Sequence, residues 1–482
     1  MAKQPPAAPP SGSQRPKGPS ESPGSKPRTE PRPETPRPSR PARKPASPPA
    51  AAVPPKAPEQ AKRPEPERAA PPKPAPKVEK RPEPVPVPPK PRPKPVRPEQ
   101  FAWAYPDEPP LEAGVPLRAP PAVDASGRIF LHFQDRLLAL KPSDAEAEGS
   151  SPAPAGGKPV MEWEYVTGAR VPGPILVAAD GSLRLHAADG FLHAVLPDDG
   201  KQLWPPVHVG EPLGYAAPLV DAVGNTYISS LDGGLLRVGE DGRCDKARPY
   251  LRSRQKLNST GIIHRGVLYI GSEEGYVFAI ELGDQRGRNR FDHALDQGHA
   301  GWFINSALAL AEDGTIIVAG RDDNLYGFTP GGATAWKTAM PGQMLGSPVL
   351  DARGHVYVGI AQSQRGQPSR GKLLSIDGNS HKIRWQVDAD DSVESTPVIG
   401  DDGIIYFGDN AGLIHAVDLS GAPKWKAKVH APVRSAGMLV GPGKLAFGLD
   451  DETLVVLNCS SQKLPDAGWP KLAWTPRHGG PV

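Results

Sequence analysis

Three features of the sequence predict an all-β domain, an eight-bladed β-propeller of four-stranded antiparallel blades, preceded by a disordered proline-rich tail. A unit of about 40 residues recurs eight times between Phe101 and Cys459, the signature of a radial repeat. Within each unit, runs of β-branched and aromatic residues are separated by Asp-Gly or similar turns, the pattern of antiparallel strands. Most units then close on a polar-apolar strand that carries a tryptophan. Seven blades is the alternative count, because Ser143 to Lys158 interrupts the first unit.

The clearest unit sets the grammar. Pro397-Val398-Ile399 is a short first strand, and Asp401-Asp402-Gly403 turns the chain. Ile404 to Gly408 is the second strand, Asn410-Ala411-Gly412 the next turn, and Leu413 to Val417 the third strand. Lys424-Trp425-Lys426 to Val429 alternates polar and apolar residues, as an exposed outer strand should. The other units begin near Pro121, Pro174, Pro218, Gly261, Ala307, Pro348 and Gly437. Phe101-Ala102-Trp103-Ala104-Tyr105 looks like an outer strand but precedes the first inner set. It is therefore expected to complete the last blade, closing the ring and leaving no unpaired sheet edge between the chain ends.

The run Ala416-Val417-Asp418-Leu419-Ser420-Gly421-Ala422-Pro423-Lys424-Trp425 resembles the tryptophan-docking motif of the quinoprotein-like, PQQ-repeat β-propellers. Gly200 to Trp204 and Gly332 to Trp336 repeat its Gly-to-Trp step, and Gly287 to Phe291 repeats it with Phe. The resemblance covers residues 101–475. It implies that each tryptophan docks on the next blade and locks neighbouring sheets together. The family it points to holds quinone-dependent alcohol and sugar dehydrogenases, and also a non-catalytic branch that includes the propeller lipoprotein of the bacterial barrel-assembly machine. Function must therefore be argued from the site.

The residues speak against catalysis. Alcohol-oxidising members stack the quinone on a disulfide between adjacent cysteines, whereas Cys244 and Cys459 fall in the third and eighth units. No His/Cys cluster has metal-ligand spacing, and no haem-attachment motif is present. A phosphate-cradling Gly-rich loop and a nucleophile elbow are also missing. The acidic run Asp388-Ala389-Asp390-Asp391 could suggest calcium, but it lacks the EF-hand pattern and reads as a solvated turn. The expectation is a non-enzyme with no cofactor and no metal.

A binding propeller uses its central mouth, where the segments entering each blade converge. Taking the residue three before the conserved proline position gives Arg118, Val171, Tyr215, Asn258, Phe303, Leu345, Glu394 and Arg434. Two arginines, a carboxylate and two aromatics form a mixed collar, and Arg and Tyr are typical protein-binding anchors. Arg434 could equally pair with Glu394 in the neighbouring blade. Trp302 stands beside Phe303 and places two large rings where other units are smaller. The candidate partner-binding set is thus Arg118, Tyr215, Asn258, Trp302, Phe303, Glu394 and Arg434.

Residues 1–100 hold 34 of the 64 prolines and no Phe, Trp, Tyr, Leu or Ile. Such a segment buries too little apolar area to offset the entropy of ordering. It carries 22 Lys+Arg against 9 Asp+Glu, whereas the rest of the chain holds 35 against 44. The whole-chain charge of +4 hides that asymmetry. Overlapping PxxP patterns from Pro82 to Pro93 would suit an acidic or SH3-like partner. Without interleaved aromatics the charges do not suggest specific reading of nucleic acid, and polyanion or membrane-surface binding through the tail stays an alternative function. A small-ligand sensor or quinone-dependent oxidoreductase using the central channel is the other alternative.

Residues 1–30 show no apolar core of a signal peptide, and no stretch approaches the roughly 18 apolar residues of a membrane span. Two distant cysteines suggest a reducing compartment. A cytoplasmic, bacterial monomer is expected, acting as a scaffold that holds a protein at the propeller mouth with the tail as tether. The end of the chain, Gly468-Trp469-Pro470 to Gly480, is expected to wrap an outer face with Trp469 and Trp474 packed on strands, and residues 476–482 to be flexible.

Overall fold

The computed structural model describes residues 99–471 apart from 107–115, 144–156, 211–215, 230–233, 246–249, 253–255, 284–287, 295–302, 305, 364–368 and 470. The chain divides into Met1–Pro88 and Pro89–Val482, and every described residue lies in the second unit. Of the tail only Glu99 and Gln100 are described, and Trp474 falls outside the described residues.

All regular structure among the described residues is strand, arranged as eight antiparallel sheets of four. Eight blades, not seven, is the count. Blades one to seven are each built from four consecutive strands, from Ala122–Val123 through Gly157–Val166 in blade one to Val398–Ile399 through Pro423–Lys428 in blade seven. Blade eight takes Met438–Gly441, Lys444–Gly448 and Leu454–Asn458 from the end of the chain and Phe101–Tyr105 from the beginning. Trp103 pairs with Val456 and Tyr105 with Leu454, and the Asn458 N–H bonds the Gln100 carbonyl at 2.6 Å. The ring is closed across the chain ends as the displaced outer strand predicted. The irregular first blade keeps its sheet, with Arg136–Ser143 paired to Gly157–Val166 around the insertion.

Burial follows strand position. Middle strands such as Val267–Gly271 and Ile316–Gly320 are buried throughout, while the outer strand Thr334–Ala339 alternates exposed and half-buried residues. The core is accordingly split into clusters, several of which join side chains of neighbouring blades, as where Tyr406 and Ile414 of blade seven pack with Phe447 and Val455 of blade eight.

Two contacts set the blade-to-blade geometry. The glycine ending the second strand gives room for the segment entering the next blade: a Cβ on Gly271 would stand 2.5 Å from Ile304 Cγ2, and one on Gly448 2.9 Å from Leu117 Cγ. The second contact is the tryptophan dock that the motif implied. Trp163 of blade one lies over Gly200 of blade two, and Trp385 of blade six over Gly421 of blade seven. Their indole N–H groups donate to Pro197 O at 3.0 Å and Leu419 O at 3.1 Å. Variants fill the same role. Trp336 stacks on His381 of blade six at 4.5 Å, and His381 takes the positive φ that glycine holds elsewhere. In blade three Tyr250 replaces the tryptophan, and its hydroxyl accepts the Gly283 N–H at 2.7 Å.

Beneath the docked ring most blades place an aromatic residue, such as Tyr357, Tyr406 or Phe130. Blade two places Arg184 there. The residue is 1 % exposed, and its guanidinium lies 5.6 Å from the Trp204 ring and donates to Ser182 Oγ and Thr226 Oγ1. Burial lowers its pKa, with Asp180 acting in the opposite direction.

The end of the chain departs from expectation. Instead of wrapping an outer face, its described part from Ser460 to Trp469 crosses the side of the ring opposite the mouth. Asp401 accepts the Gln462 N–H, Ser460 and Ser461 donate to Asp402, and Trp469 forms two backbone hydrogen bonds of 2.9 Å with Leu350 on the innermost strand of blade six. The outer faces are already occupied by the docked tryptophans, whereas the innermost strand offers an unpaired edge.

Candidate functional site

Antiparallel order fixes which turns share a face. Segments entering the blades and the turns between second and third strands lie on the mouth face. Turns between first and second strands, and between third and fourth, lie on the far face.

Glu394, Arg434 and Arg118 occupy equivalent positions in blades seven, eight and one, each directly after the residue that packs on the preceding blade's glycine. The structure joins them into one arc. Arg434 Nε lies 3.3 Å from Glu394 Oε2 and donates to Asn410 Oδ1 at 3.0 Å, while Asn410 donates to Glu394 Oε1 at 2.6 Å. Arg434 also bonds Asp450, whose other oxygen lies 4.0 Å from Arg118 Nε. Burial raises the Asp450 pKa, and Arg434 and then Arg118 oppose that rise. The arc is thus internally neutralised yet partly open: the side chains of Arg118 and Arg434 are 34 % and 26 % exposed. The pairing of Arg434 with Glu394 weighed from sequence is present.

Elsewhere the collar is less continuous. Asn258 turns to Glu273 in its own blade at 3.2 Å, and Val171 is buried. Phe303 is 39 % exposed and precedes Ile304, so the position matching Glu394 in blade five is Asn305, outside the described residues. Tyr215 and Trp302 also lie outside the described residues. Sequence alignment of entry segments missed Asn410 and Asp450, because they come from the turns between second and third strands. The signal was available, since both follow the strand-ending glycines Gly408 and Gly448 by two residues.

Other chemistry is weaker. Asp390, Asp409 and His415 bring ligand-type atoms within 4.8 Å of one another. Asp409 already accepts from His415 Nε2 at 2.9 Å and from the Leu413 and Asp390 N–H groups, and Asp390 pairs with Lys426 at 3.2 Å. This trio braces a turn. Cys244 and Cys459 lie in blades three and eight and form no disulfide. Burial pushes the Cys459 thiol up to about 11, which disfavours the nucleophilic thiolate. Among the described residues no helix is long and apolar enough to cross a membrane.

Fold and docking geometry define the class: the chain is an eight-bladed β-propeller whose neighbouring blades are joined by docked aromatic rings. Residues 288–436 and 369–464 match the family model described as outer membrane protein assembly factor BamB. Among solved structures, BamB from Moraxella catarrhalis aligns with a TM-score of 0.54 at 14 % identity, over 72 % of this chain and 97 % of that one. Sqt1 from Saccharomyces cerevisiae gives 0.57 at 13 % over 73 % and 97 %, and the quinohemoprotein alcohol dehydrogenase from Comamonas testosteroni 0.56 at 12 % over 76 % and 77 %. At such identities the likeness is one of fold. No curated protein matches the sequence.

Proposed function

We propose that this protein is a non-enzymatic scaffold that holds a protein partner on the mouth face of its propeller, with the basic proline-rich segment ahead of it tethering a second partner in the cytosol. The observation that carries the reading is the arc of Arg118, Asp450, Arg434 and Glu394. Three consecutive blades supply it, its members hold one another in place, and its arginines remain partly open to solvent. Pre-positioned arginines with an exposed aromatic residue on the same face are the chemistry of protein interfaces. The family model, described by an assembly factor, agrees with this class of function. The quinone-dependent alternative has less support, because the two thiols stand in separate blades. Two cysteines that form no disulfide also suit a reducing compartment.

The test is site-specific photo-crosslinking in the native host. A photoreactive residue is placed at Phe303 and Arg434 on the mouth face, and at the exposed Val223 on the far face as control. The same protein should be captured from both mouth positions and not from Val223. Capture from Val223 alone, or a quinone co-purifying with the chain, would sink the proposal.

A further inference from the structure

The free edges of the eight innermost strands face the central channel, and the chain's own end takes one of them. Leu350 belongs to Val349–Leu350, whose other edge pairs with the second strand of blade six. On the open edge, Leu350 N–H donates to the Trp469 carbonyl and Trp469 N–H donates to the Leu350 carbonyl, both at 2.9 Å. The Trp469 ring is 5 % exposed and joins the cluster of Leu308, Leu350 and Val356 contributed by blades five and six. Two residues later, Lys471 Nζ stands 3.7 Å from Met438 Sδ, on the innermost strand of blade eight. The described residues of the segment therefore touch the innermost strands of both blade six and blade eight.

Gly468 makes this approach possible. Its φ is +87°, and a Cβ there would stand 2.6 Å from the Leu350 carbonyl oxygen. The segment before it is held on the same face, with Asp401 N–H bonded to the Lys463 carbonyl at 3.0 Å and Lys463 Nζ paired with Asp466 at 2.9 Å. Yet all eight sheets have their four strands without this segment. The bridge to Leu350, the Trp469 ring and the hydrogen bonds to Asp401 and Asp402 are all added to a structure that is already closed, the arrangement of an element that can open by itself.

We propose that Ser460 to Trp469 form a built-in plug, with Trp469 as its anchor, that covers the far end of the channel and opens as a unit while the propeller stays folded. The site it fills is an apolar slot beside a free strand edge, matched to an indole-sized aromatic group. With the plug seated, the mouth face is the way into the channel.

The test uses the full chain carrying Trp469→Ala, with Trp469→Phe as a variant that keeps an aromatic anchor. Hydrogen exchange is followed in the peptide spanning Gly346–Asp351, which reports the Leu350 amide, and in peptides from the second and third strands of blade seven. For Trp469→Ala, Leu350 should exchange at least tenfold faster, with blade seven unchanged. Saturating free indole should restore the protection, as small aromatics enter apolar cavities left by truncation. Trp469→Phe should keep most of it. Faster exchange throughout the blades would show a structural staple and overturn the proposal. Unchanged exchange at Leu350, or no restoration by indole, would overturn it as well.

Discussion

Replacing Gly421 by Ala tests whether the docked tryptophan, and not the local turn, dictates the glycine. Gly421 has φ +87°, and a Cβ there would stand 2.9 Å from Trp385 Cδ2 and 3.1 Å from Cε3. The backbone share of the cost is about 1–2 kcal/mol, the expense of the left-handed region for a residue with a Cβ. Displacing a packed ring adds about 1–2 kcal/mol. Trp385→Ala alone removes a half-buried indole, its hydrogen bond to Leu419 and its contact with Tyr357 at 5.8 Å. Full burial would put that loss at about 3–5 kcal/mol, and partial exposure reduces it to about 2–3. In the double variant the ring is gone, so Gly421→Ala costs only its backbone share. The two changes together should therefore fall short of their sum by about 1–2 kcal/mol. Equilibrium urea unfolding followed by far-ultraviolet circular dichroism measures all four corners of the cycle. Strict additivity would refute the docking argument and leave the glycine explained by its turn alone.

Three further outcomes are expected. Arg184→Met should be neutral or stabilising by about 1 kcal/mol, since a buried guanidinium gives way to an apolar chain, whereas Arg184→Ala should cost about 2–4 kcal/mol through the cavity beneath Trp204; urea midpoints decide. His132 is held neutral by burial, with its pKa lowered from 6.5 to about 4 while its Nδ1 accepts the Val171 N–H. The unfolded chain therefore takes this proton first, so stability is whole above about pH 6.5 and falls by about 3 kcal/mol as pH drops toward 4. His132→Gln should flatten stability over that window in urea midpoints taken against pH. Arg434→Ala should raise the Asp450 pKa further, because the guanidinium is the largest influence opposing its burial; carboxyl titration by nuclear magnetic resonance would show no change if Arg118 alone sufficed.

Much of the fold was legible because each blade repeats the same local code. Asp-Gly turns, β-branched middle strands and the Gly-to-Trp step each act over a few residues, so they survive in the sequence as a period. Even the ring closure could be read, since Phe101–Tyr105 has the pattern of an outer strand with no inner strands before it. The mouth was legible only in part. Arg118, Glu394 and Arg434 share one position in the repeat, whereas Asp450 and Asn410 reach them from a different turn, a proximity that spacing along the chain does not encode. Phe303 was aligned two residues early because blade five has neither the proline nor the glycine that marks this position in blades such as seven and eight. Trp469 was misplaced for a related reason: its partner, Leu350, is more than a hundred residues away and offers only a free backbone edge, which has no sequence signature.

The closure of blade eight also makes the ring mechanically uneven. Gln100 and Asn458 meet at the same end of an antiparallel pair, so tension applied ahead of Gln100 and behind Asn458 pulls both strands from one end. The hydrogen bonds between Phe101–Tyr105 and Leu454–Asn458 then break one after another, as in a zipper, instead of sharing the force. Beyond Cys459 the chain is fastened to Asp401, Asp402 and Leu350, so a pull from that side is carried first by blades seven and six. A load hung on the leading end meets no such anchor among the described residues and falls directly on the seam where the two ends were joined.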